Sequence, residues 1–205
     1  MPRRRVTARR KPSQERSQAL VDTMLDALER LLAKNPLTAL TTNRIAEMAG
    51  VSVGSLYQYF PDKHSLAAAL IHRKAARDLE VLTTKLLQQA PVGLEAVLRA
   101  TVVEVIELHR KDAALMRALL ALVTQTGSTD VVRELAARGR ERMQVLFDAF
   151  SEEIRETDRE LLTFIGGRAL EEVVHAALLE KPELLANPAF VEETFQLLWR
   201  FVKKS

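Results

Sequence analysis

The segment from Thr42 to Lys63 constrains the fold of this chain most, because it contains two short helical patterns separated by a glycine. The first pattern ends at Gly50, a residue without a Cβ that adopts turn conformations other residues resist. Ser52 can then cap the second pattern. Two short helices that cross steeply need a small residue where they approach, and Ala46 meets this need. The segment therefore predicts a helix-turn-helix. Its expected core comprises Ile45, Ala49, Val51 and Leu56, with Tyr59 and Phe60 as candidates to join it to neighbouring helices.

The composition of the whole chain favours helices. Seven glycines and seven prolines among 205 residues are few, whereas alanine, leucine, glutamate and arginine are abundant, so we expect an all-α fold. The absence of cysteine excludes disulfides and cysteine-ligated metals. No apolar run approaches the roughly 18 residues of a membrane span. Acidic residues interrupt the segment after the arginine-rich start, which excludes a signal peptide pattern and predicts a cytoplasmic protein without membrane partners.

Helical periodicity also extends to both sides of the central segment. A first helix is expected from near Gln14, capped by Ser13, to Asn35. A fourth helix begins after Asp62 and continues until Pro91 breaks it. No segment predicts a strand. Further helices are expected at about 92–109, 112–125, 130–155, 158–180 and 189–203, with Gly127-Ser128 among the breaks between them.

Positive charge is concentrated at the end of the chain that carries the helix-turn-helix. Residues 1–64 contain eleven lysines and arginines against six acids, whereas the remainder contains nineteen against twenty-one. Such an asymmetry suits a polyanionic partner. The structural alternative is an ordinary helical hairpin without a DNA role. The exposed residue types favour duplex DNA, because they combine hydroxyls, amides and a cation at the motif.

Each candidate DNA contact has a chemical reason. Ser52 offers a hydroxyl and free backbone N–H groups to phosphate. Val53 can meet a thymine methyl, and Ser55 and Gln58 can hydrogen-bond to base edges. Both tyrosine hydroxyls can reach phosphates, although either ring can instead belong to the core. The candidate DNA-binding residues are Thr42, Asn43, Arg44, Ser52, Val53, Ser55, Tyr57, Gln58, Tyr59 and Lys63.

The segment from Leu40 to Lys63 closely resembles the N-terminal domain of the tetracycline-repressor (TetR) family of bacterial regulators. The resemblance covers roughly residues 14–66. It rests on the motifs Gly50-Val51-Ser52, Leu56-Tyr57 and Tyr59-Phe60-Pro61-x-Lys63. It implies a three-helix DNA-binding domain, a long connecting helix, and a C-terminal helical domain that dimerises and usually binds a small inducer. By position it carries the family's DNA contacts onto all the candidates above except Arg44.

Three divisions of the chain follow from these patterns and the resemblance. Residues 1–12 form a basic flexible arm, residues 13–62 the helix-turn-helix domain, and residues 63–205 the helical regulatory domain. The arm is expected to reach phosphates or an adjacent minor groove. Its removal should therefore weaken DNA binding and reduce the salt dependence of that binding.

A homodimer is expected because one protomer would recognise only one half of a palindromic operator. The last two helices are the candidate interface. Gly166 and Gly167 inside a helix cost roughly 1 kcal/mol each relative to alanine, and close approach of a partner helix would explain them. A kink or helix end is the alternative. The candidate interface residues are Phe164, Gly166, Gly167, Phe195, Leu198 and Trp199.

A small-molecule effector would need an apolar cavity with a few polar groups. The expected central helices of the C-terminal domain supply both kinds of side chain, although each is also suited to the core or the surface. The candidate ligand-binding residues are His109, Met116, Leu120, Met143, Phe147, Glu171 and His175.

Catalysis is disfavoured by the sequence. The four histidines lack metal-ligand spacing, and no glycine-rich phosphate loop or nucleophile elbow is present, so we expect neither an enzyme nor a cofactor or metal. The remaining alternative is a helix-turn-helix architectural or adaptor protein that binds DNA without a ligand. The favoured expectation is a repressor, located in the cytoplasm on the bacterial nucleoid, that a small molecule releases from its operator.

Overall fold

The computed structural model describes residues 12–35, 39–89, 92–124 and 130–204. The residues are helical over most of these ranges, which confirms the all-α prediction. The basic arm, apart from Pro12, lies outside them, as do Pro91 and Gly127-Ser128. The helices are α1 (Pro12–Lys34), α2 (Thr42–Ala49), α3 (Val53–Tyr59), α4 (Lys63–Gln89), α5 (Leu94–Lys111), α6 (Ala113–Thr124), α7 (Asp130–Ala149), α8 (Arg159–Glu180) and α9 (Pro188–Val202), with a 3₁₀ helix at Pro182–Ala186 before α9.

The chain divides into two compact units between Leu70 and Ile71, inside α4. The first unit contains α1, α2, α3 and the start of α4. Its interior is formed by the apolar stripe of α1 and by Ile45, Ala46, Leu56 and Phe60 of the expected helix-turn-helix core, whereas Ala49 and Val51 are only partly buried and Tyr59 is exposed. The buried side chains include Met24, Leu28, Leu31, Leu32, Ile45, Ala46, Leu56 and Phe60, followed by Leu66 and Leu70 of α4.

The caps of α2 and α3 follow from local chemistry. Thr41 precedes α2, and its Oγ1 accepts a hydrogen bond from the backbone N–H of Arg44 at 3.3 Å. Gly50 ends α2 with φ +67°, a left-handed conformation that glycine adopts without steric cost. Ser52 caps α3 by accepting from the backbone N–H of Ser55 at 3.0 Å. At the start of α1 the expected cap is wrong, because the helix begins at Pro12 and includes Ser13.

The second unit packs α5, α8 and α9 around one apolar cluster. The cluster includes Val102 and Ile106 of α5, Val174 of α8, and Phe195 and Leu198 of α9. A second cluster joins Leu94, Phe147, Ile154, Leu162 and Val202. Trp199 packs against both clusters.

The helix expected at 130–155 ends early, at Ala149. The following residues turn toward the end of the chain, where Ile154 and Lys203 form an isolated antiparallel β-bridge. The backbone N–H of Arg155 donates to the carbonyl of Val202 at 3.1 Å. A carboxylate oxygen of Glu153 accepts from the backbone N–H of Leu94, at the start of α5, at 3.3 Å. These non-local hydrogen bonds replace the last helical turns.

Candidate DNA interface and candidate effector site

The candidate DNA contacts lie together in the first unit. Thr42, Asn43 and Arg44 form the first turn of α2, Ser52 precedes α3, and Lys63 begins α4. The other candidates lie on α3 itself. At about 100° per residue, Gly54 and Gln58 lie opposite the buried Leu56, which directs them to solvent. The structure therefore provides an exposed face on α3, which is the candidate recognition face.

Two hydroxyl pairs stand on this surface. The Oγ atoms of Ser52 and Ser55 are 2.8 Å apart, and the hydroxyls of Thr42 and Tyr57 are 3.1 Å apart. In each pair one O–H donates to the other oxygen, so one hydroxyl hydrogen is left to donate elsewhere. The pair Thr42–Tyr57 also joins the start of α2 to α3. These hydroxyls can hydrogen-bond to phosphate or base acceptors while they brace the motif.

The two tyrosines are exposed rather than buried. The exposed fraction is 49% for Tyr57 and 37% for Tyr59, so neither residue belongs to the buried core. The hydroxyl of Tyr59 donates to Oγ of Ser17 on α1 at 3.4 Å. The sequence alone does not single out Ser17, because nothing local distinguishes a serine inside a helix that a distant tyrosine will reach.

Asp62 organises the start of α4 beside this surface. Its Oδ1 accepts hydrogen bonds from the backbone N–H groups of Ser65 at 2.7 Å and His64 at 3.0 Å. The bond from the backbone of Ser65 is the largest cause that lowers the pKa of Asp62 below its ordinary value. The carboxylate is thereby held as an anion that caps the helix. This cap orients the first turn of α4, which presents Lys63.

The candidate effector residues lie in the second unit but do not form one site. The rings of His109 and His175 approach edge to face with centroids 5.2 Å apart. Met116 and Leu120 pack against the cluster of α5, α8 and α9. Met143 and Phe147 belong to the other cluster. Glu171 faces α7, where its Oε1 would lie 3.8 Å from a Cβ at Gly139.

Burial keeps the histidine pair neutral. Desolvation is the largest cause that lowers the pKa of His175 to about 4, and the neighbouring His109 contributes to the shift. Desolvation likewise lowers the pKa of His109, whose Nδ1 lies 2.7 Å from the carbonyl of Val105. A neutral imidazole can donate to this carbonyl only as the tautomer with its proton on Nδ1, and Nε2 is then an acceptor.

A surface groove in the second unit is formed by other residues. Its volume is about 520 Å³, and none of the seven candidate effector residues lines it. Two ion pairs lie among the residues that line it. Lys85 pairs with Glu104 at 2.5 Å, and Arg110 pairs with Glu107 at 2.7 Å. Its lining consists of Val81, Lys85, Glu104, Glu107, Leu108, Arg110 and Lys111.

The candidate dimer interface needs correction at two positions. Phe195 and Leu198 are 0% and 3% exposed, because they fill the core of their own protomer, and are therefore not interface surface. A Cβ on Gly166 would lie 3.8 Å from the ring of Phe201, and one on Gly167 would lie 3.4 Å from Cγ of Arg140. Within the chain, both glycines thus face neighbouring side chains.

The exposed side of α8 carries apolar side chains toward both of its ends, with the charged Arg168 and Glu172 between them. Phe164 is 52% exposed, and Leu161 and Leu179 are exposed on the same side of the helix. Leu197 adds an exposed apolar side chain on α9. Trp199, in contrast, is half-buried and stacks on Phe195. This apolar face, defined by Leu161, Phe164, Ile165, Leu179 and Leu197, can pack against a partner.

Two family models match the chain. The model described as "Bacterial regulatory proteins, tetR family" matches residues 24–70, and "Tetracyclin repressor-like, C-terminal domain" matches residues 93–201. The chain belongs to the TetR family. This family is one of DNA-binding transcriptional regulators, and the first unit of the present member contains its helix-turn-helix.

Two curated relatives match parts of the chain. An uncharacterized HTH-type transcriptional regulator of Mycobacterium tuberculosis is 37% identical over 65 residues, which cover 32% of each chain. The nucleoid occlusion factor SlmA of Haemophilus ducreyi is 29% identical over 110 residues, or 54% of this chain and 52% of SlmA. The matched segments thus span about a third to a half of these curated relatives.

Solved structures share the fold. SmeT in complex with triclosan aligns with a TM-score of 0.66 and 20% identity over 92% of this chain and 93% of SmeT. SmeT is the repressor of the Stenotrophomonas maltophilia multidrug efflux pump SmeDEF. In the parts of this TetR-family chain that the structure describes, no helix is long and apolar enough to cross a bilayer. No group of three or more metal-ligating side chains occurs within the same residues.

Proposed function

We propose that this TetR-family regulator acts in the bacterial cytoplasm as a homodimeric repressor that binds a palindromic operator and is released by a small molecule. The observation that carries sequence-specific binding is the exposed face of α3. Gln58 points to solvent there, and Val53 and the hydroxyl pair of Ser52 and Ser55 flank it. Amide, methyl and hydroxyl groups on one short helix suit base edges in a major groove.

Phosphate contacts would fix the register of this helix on the duplex. Lys63 at the start of α4 and Asn43 at the start of α2 are the proposed anchors, together with the remaining hydroxyl hydrogen of the Thr42–Tyr57 pair. The hydroxyl of Tyr59 would contact phosphate by exchanging its hydrogen bond to Ser17. Contacts of this kind position a protein without selecting a sequence. Val53 and Gln58 are therefore the proposed determinants of operator sequence.

The apolar face of α8 and α9 supports the homodimer. Water would otherwise surround five large apolar side chains of α8 and α9, and a second copy of the chain can cover them symmetrically. Phe164 is the central candidate, because a guanidinium of the same protomer, Arg140, lies 5.6 Å from its ring centroid. This contact is made within the protomer, and the exposed part of the Phe164 ring offers apolar area to a partner.

The effector is proposed to bind in the second unit near the histidine pair. His109 on α5 and His175 on α8 offer neutral imidazoles, and the same two helices contribute to the apolar cluster against which Met116 and Leu120 pack. The similarity to the fold of SmeT, whose structure contains triclosan, supports a regulator of this kind. Binding can release DNA only to the extent that the effector prefers the released state.

Selection of bound sequences from a random duplex library tests this function. A palindromic consensus is expected, with half-sites separated by about one helical turn or a multiple of it. A small-molecule panel is then screened for release of the selected duplex, with His175→Leu as the variant that should lose the response. Selection without a consensus would contradict the proposal.

An architectural DNA-binding role is the second candidate, and the similarity to SlmA, a nucleoid occlusion factor, supports it. The two functions differ in their response to effectors. A ligand-responsive repressor releases its duplex when the matching compound is added, whereas an architectural protein stays bound throughout the panel. Deletion of the basic arm should reduce the salt dependence of binding in either case.

A further inference from the structure

The side chain of Arg44 is turned toward the end of α1. One of its terminal nitrogens donates to the carbonyl of Ala39 at 3.1 Å, and the other donates to Oδ1 of Asn35 at 3.3 Å. The side-chain amide of Asn35 in turn donates to the carbonyl of Leu31, in the last turn of α1, at 3.0 Å. These contacts form a chain of hydrogen bonds from α2 to α1, here called the clip.

We propose that Arg44 is a positioning residue for DNA binding, rather than a DNA contact, and that it acts through Asn35. The inference rests on the proposed sequence-specific function. The guanidinium is planar, so its two terminal nitrogens can bind two acceptors with a fixed mutual geometry. Both acceptors belong to residues that precede α2, and the clip therefore fixes how α2 leaves the preceding chain.

The electrostatic setting favours the same assignment. The carbonyls at the end of a helix carry partial negative charge, which attracts a cation. Asn35 links Arg44 to one of these carbonyls, because its side chain donates to Leu31 and accepts from Arg44. The backbone N–H of Arg44 also donates to the capping hydroxyl of Thr41. Both its main chain and its side chain thus secure the start of α2.

Orientation of α2 matters because α3 is built directly on it. The hydroxyl pair of Thr42 and Tyr57 joins the two helices, and the N–H of Val51 donates to the carbonyl of Ala46 at 3.0 Å. A change at the start of α2 is therefore transmitted to the recognition face. Misplacement of that face reduces base recognition more than it reduces attraction to phosphates.

Four variants separate the clip from a phosphate contact. Arg44→Gln removes charge and clip together, whereas Arg44→Lys keeps the charge but cannot bind both acceptors in the same planar geometry. Asn35→Ala removes the acceptor and leaves the charge of Arg44 unchanged. Asn35→Asp preserves an acceptor oxygen for Arg44 but loses the N–H that donates to Leu31, so it keeps only the Arg44 half of the clip. Lys63→Gln is the matched control for loss of a proposed phosphate contact.

Binding is measured at several salt concentrations on a 30-base-pair duplex of random sequence and on the duplex selected by the unmodified protein. All variants are assayed below their unfolding temperatures. We expect Arg44→Gln, Arg44→Lys and Asn35→Ala each to lower the selected-to-random affinity ratio about three- to tenfold, with a smaller loss in Asn35→Asp, which keeps the acceptor for Arg44. The double variant Arg44→Gln/Asn35→Ala should be no worse than either single variant.

The salt slope on the random duplex decides between the two roles. It should remain unchanged in the Arg44 and Asn35 variants, whereas loss of one phosphate contact lowers it by about 0.9 per site, as expected for Lys63→Gln. The clip would be overturned if Arg44→Gln lowered the salt slope while Arg44→Lys and Asn35→Ala both kept the slope of the unmodified protein. Failure of the proposed function would give a different result, because the unmodified protein would then select no consensus sequence. The salt slope on the random duplex would still show whether Arg44 contacts phosphate.

Discussion

The free energy of unfolding of the second unit should fall between pH 8 and pH 5, because His175 is held neutral in the folded protein. Burial is the main cause that lowers its pKa from 6.5 to about 4. The unfolded chain therefore binds a proton at His175 at a pH where the folded chain does not. Stability is fully present above the unfolded pKa and is lost as pH falls toward the folded value.

The two pKa values determine the magnitude. At pH 5 an unfolded histidine is almost entirely protonated, whereas His175 in the folded state stays mostly neutral, which corresponds to about 2 kcal/mol lost relative to pH 8. The lowered pKa of His109, caused mainly by desolvation, acts in the same direction. Desolvation raises the pKa values of Asp78 and Glu171, and these groups act in the opposite direction. Comparison with a variant cancels these other contributions.

Urea unfolding of the wild type and of His175→Gln at pH 8 and pH 5 provides the assay. Trp199 is the only tryptophan of the chain and packs in the second unit, so its fluorescence reports on that unit. Protein concentration is kept constant because dimerisation affects apparent stability. His64→Gln, in the first unit, is the matched control. Equal losses of stability in the wild type and His175→Gln would refute the reasoning.

Three further predictions concern stability, assembly and DNA recognition. Gly166→Ala should raise the free energy of unfolding by about 0.5–1 kcal/mol in urea titrations, because alanine favours helix and its Cβ has 3.8 Å to the nearest ring; a destabilised protein would show that the close approach needs glycine. Phe164→Glu should yield monomers in light scattering, whereas Val145→Glu, at a residue 71% exposed on α7, should leave a dimer; an intact Phe164→Glu dimer would exclude this face. Lys63→Gln should lower the salt slope of DNA binding by about 0.9 per site, whereas Gln58→Ala should change the selected sequence at an unchanged slope. If Gln58→Ala instead lowered the slope and Lys63→Gln changed the selected sequence, Gln58 would be the phosphate contact and Lys63 the determinant of sequence.

The helix-turn-helix could be predicted in detail because its determinants are local. A left-handed residue between two short helices requires Gly50, and the cap at Ser52 acts within three residues of its own position. The periodicity of buried residues in α1 is equally local. For the same reason, the exposed face of α3 follows from the position of Leu56.

The end of α7 and the partners of the apolar stripes could not be predicted in the same way. The sequence after Ala149 continues a helical pattern, but Arg155 hydrogen-bonds to Val202, nearly fifty residues further along the chain. Phe195 and Leu198 resemble interface residues in sequence, since a buried stripe looks the same whether its own chain or a second copy covers it. Only tertiary packing shows which chain supplies the contact.

The sequence by itself determined the helical class, the recognition motif and the family, because periodicity, caps and a glycine turn act over a few residues. Tertiary structure decided which side chains contact one another and which are exposed. It turned Arg44 toward Asn35, placed His109 against His175, and left Phe164 exposed while burying Phe195. These outcomes depend on contacts between residues far apart in the chain, where local spacing carries no information about the partner.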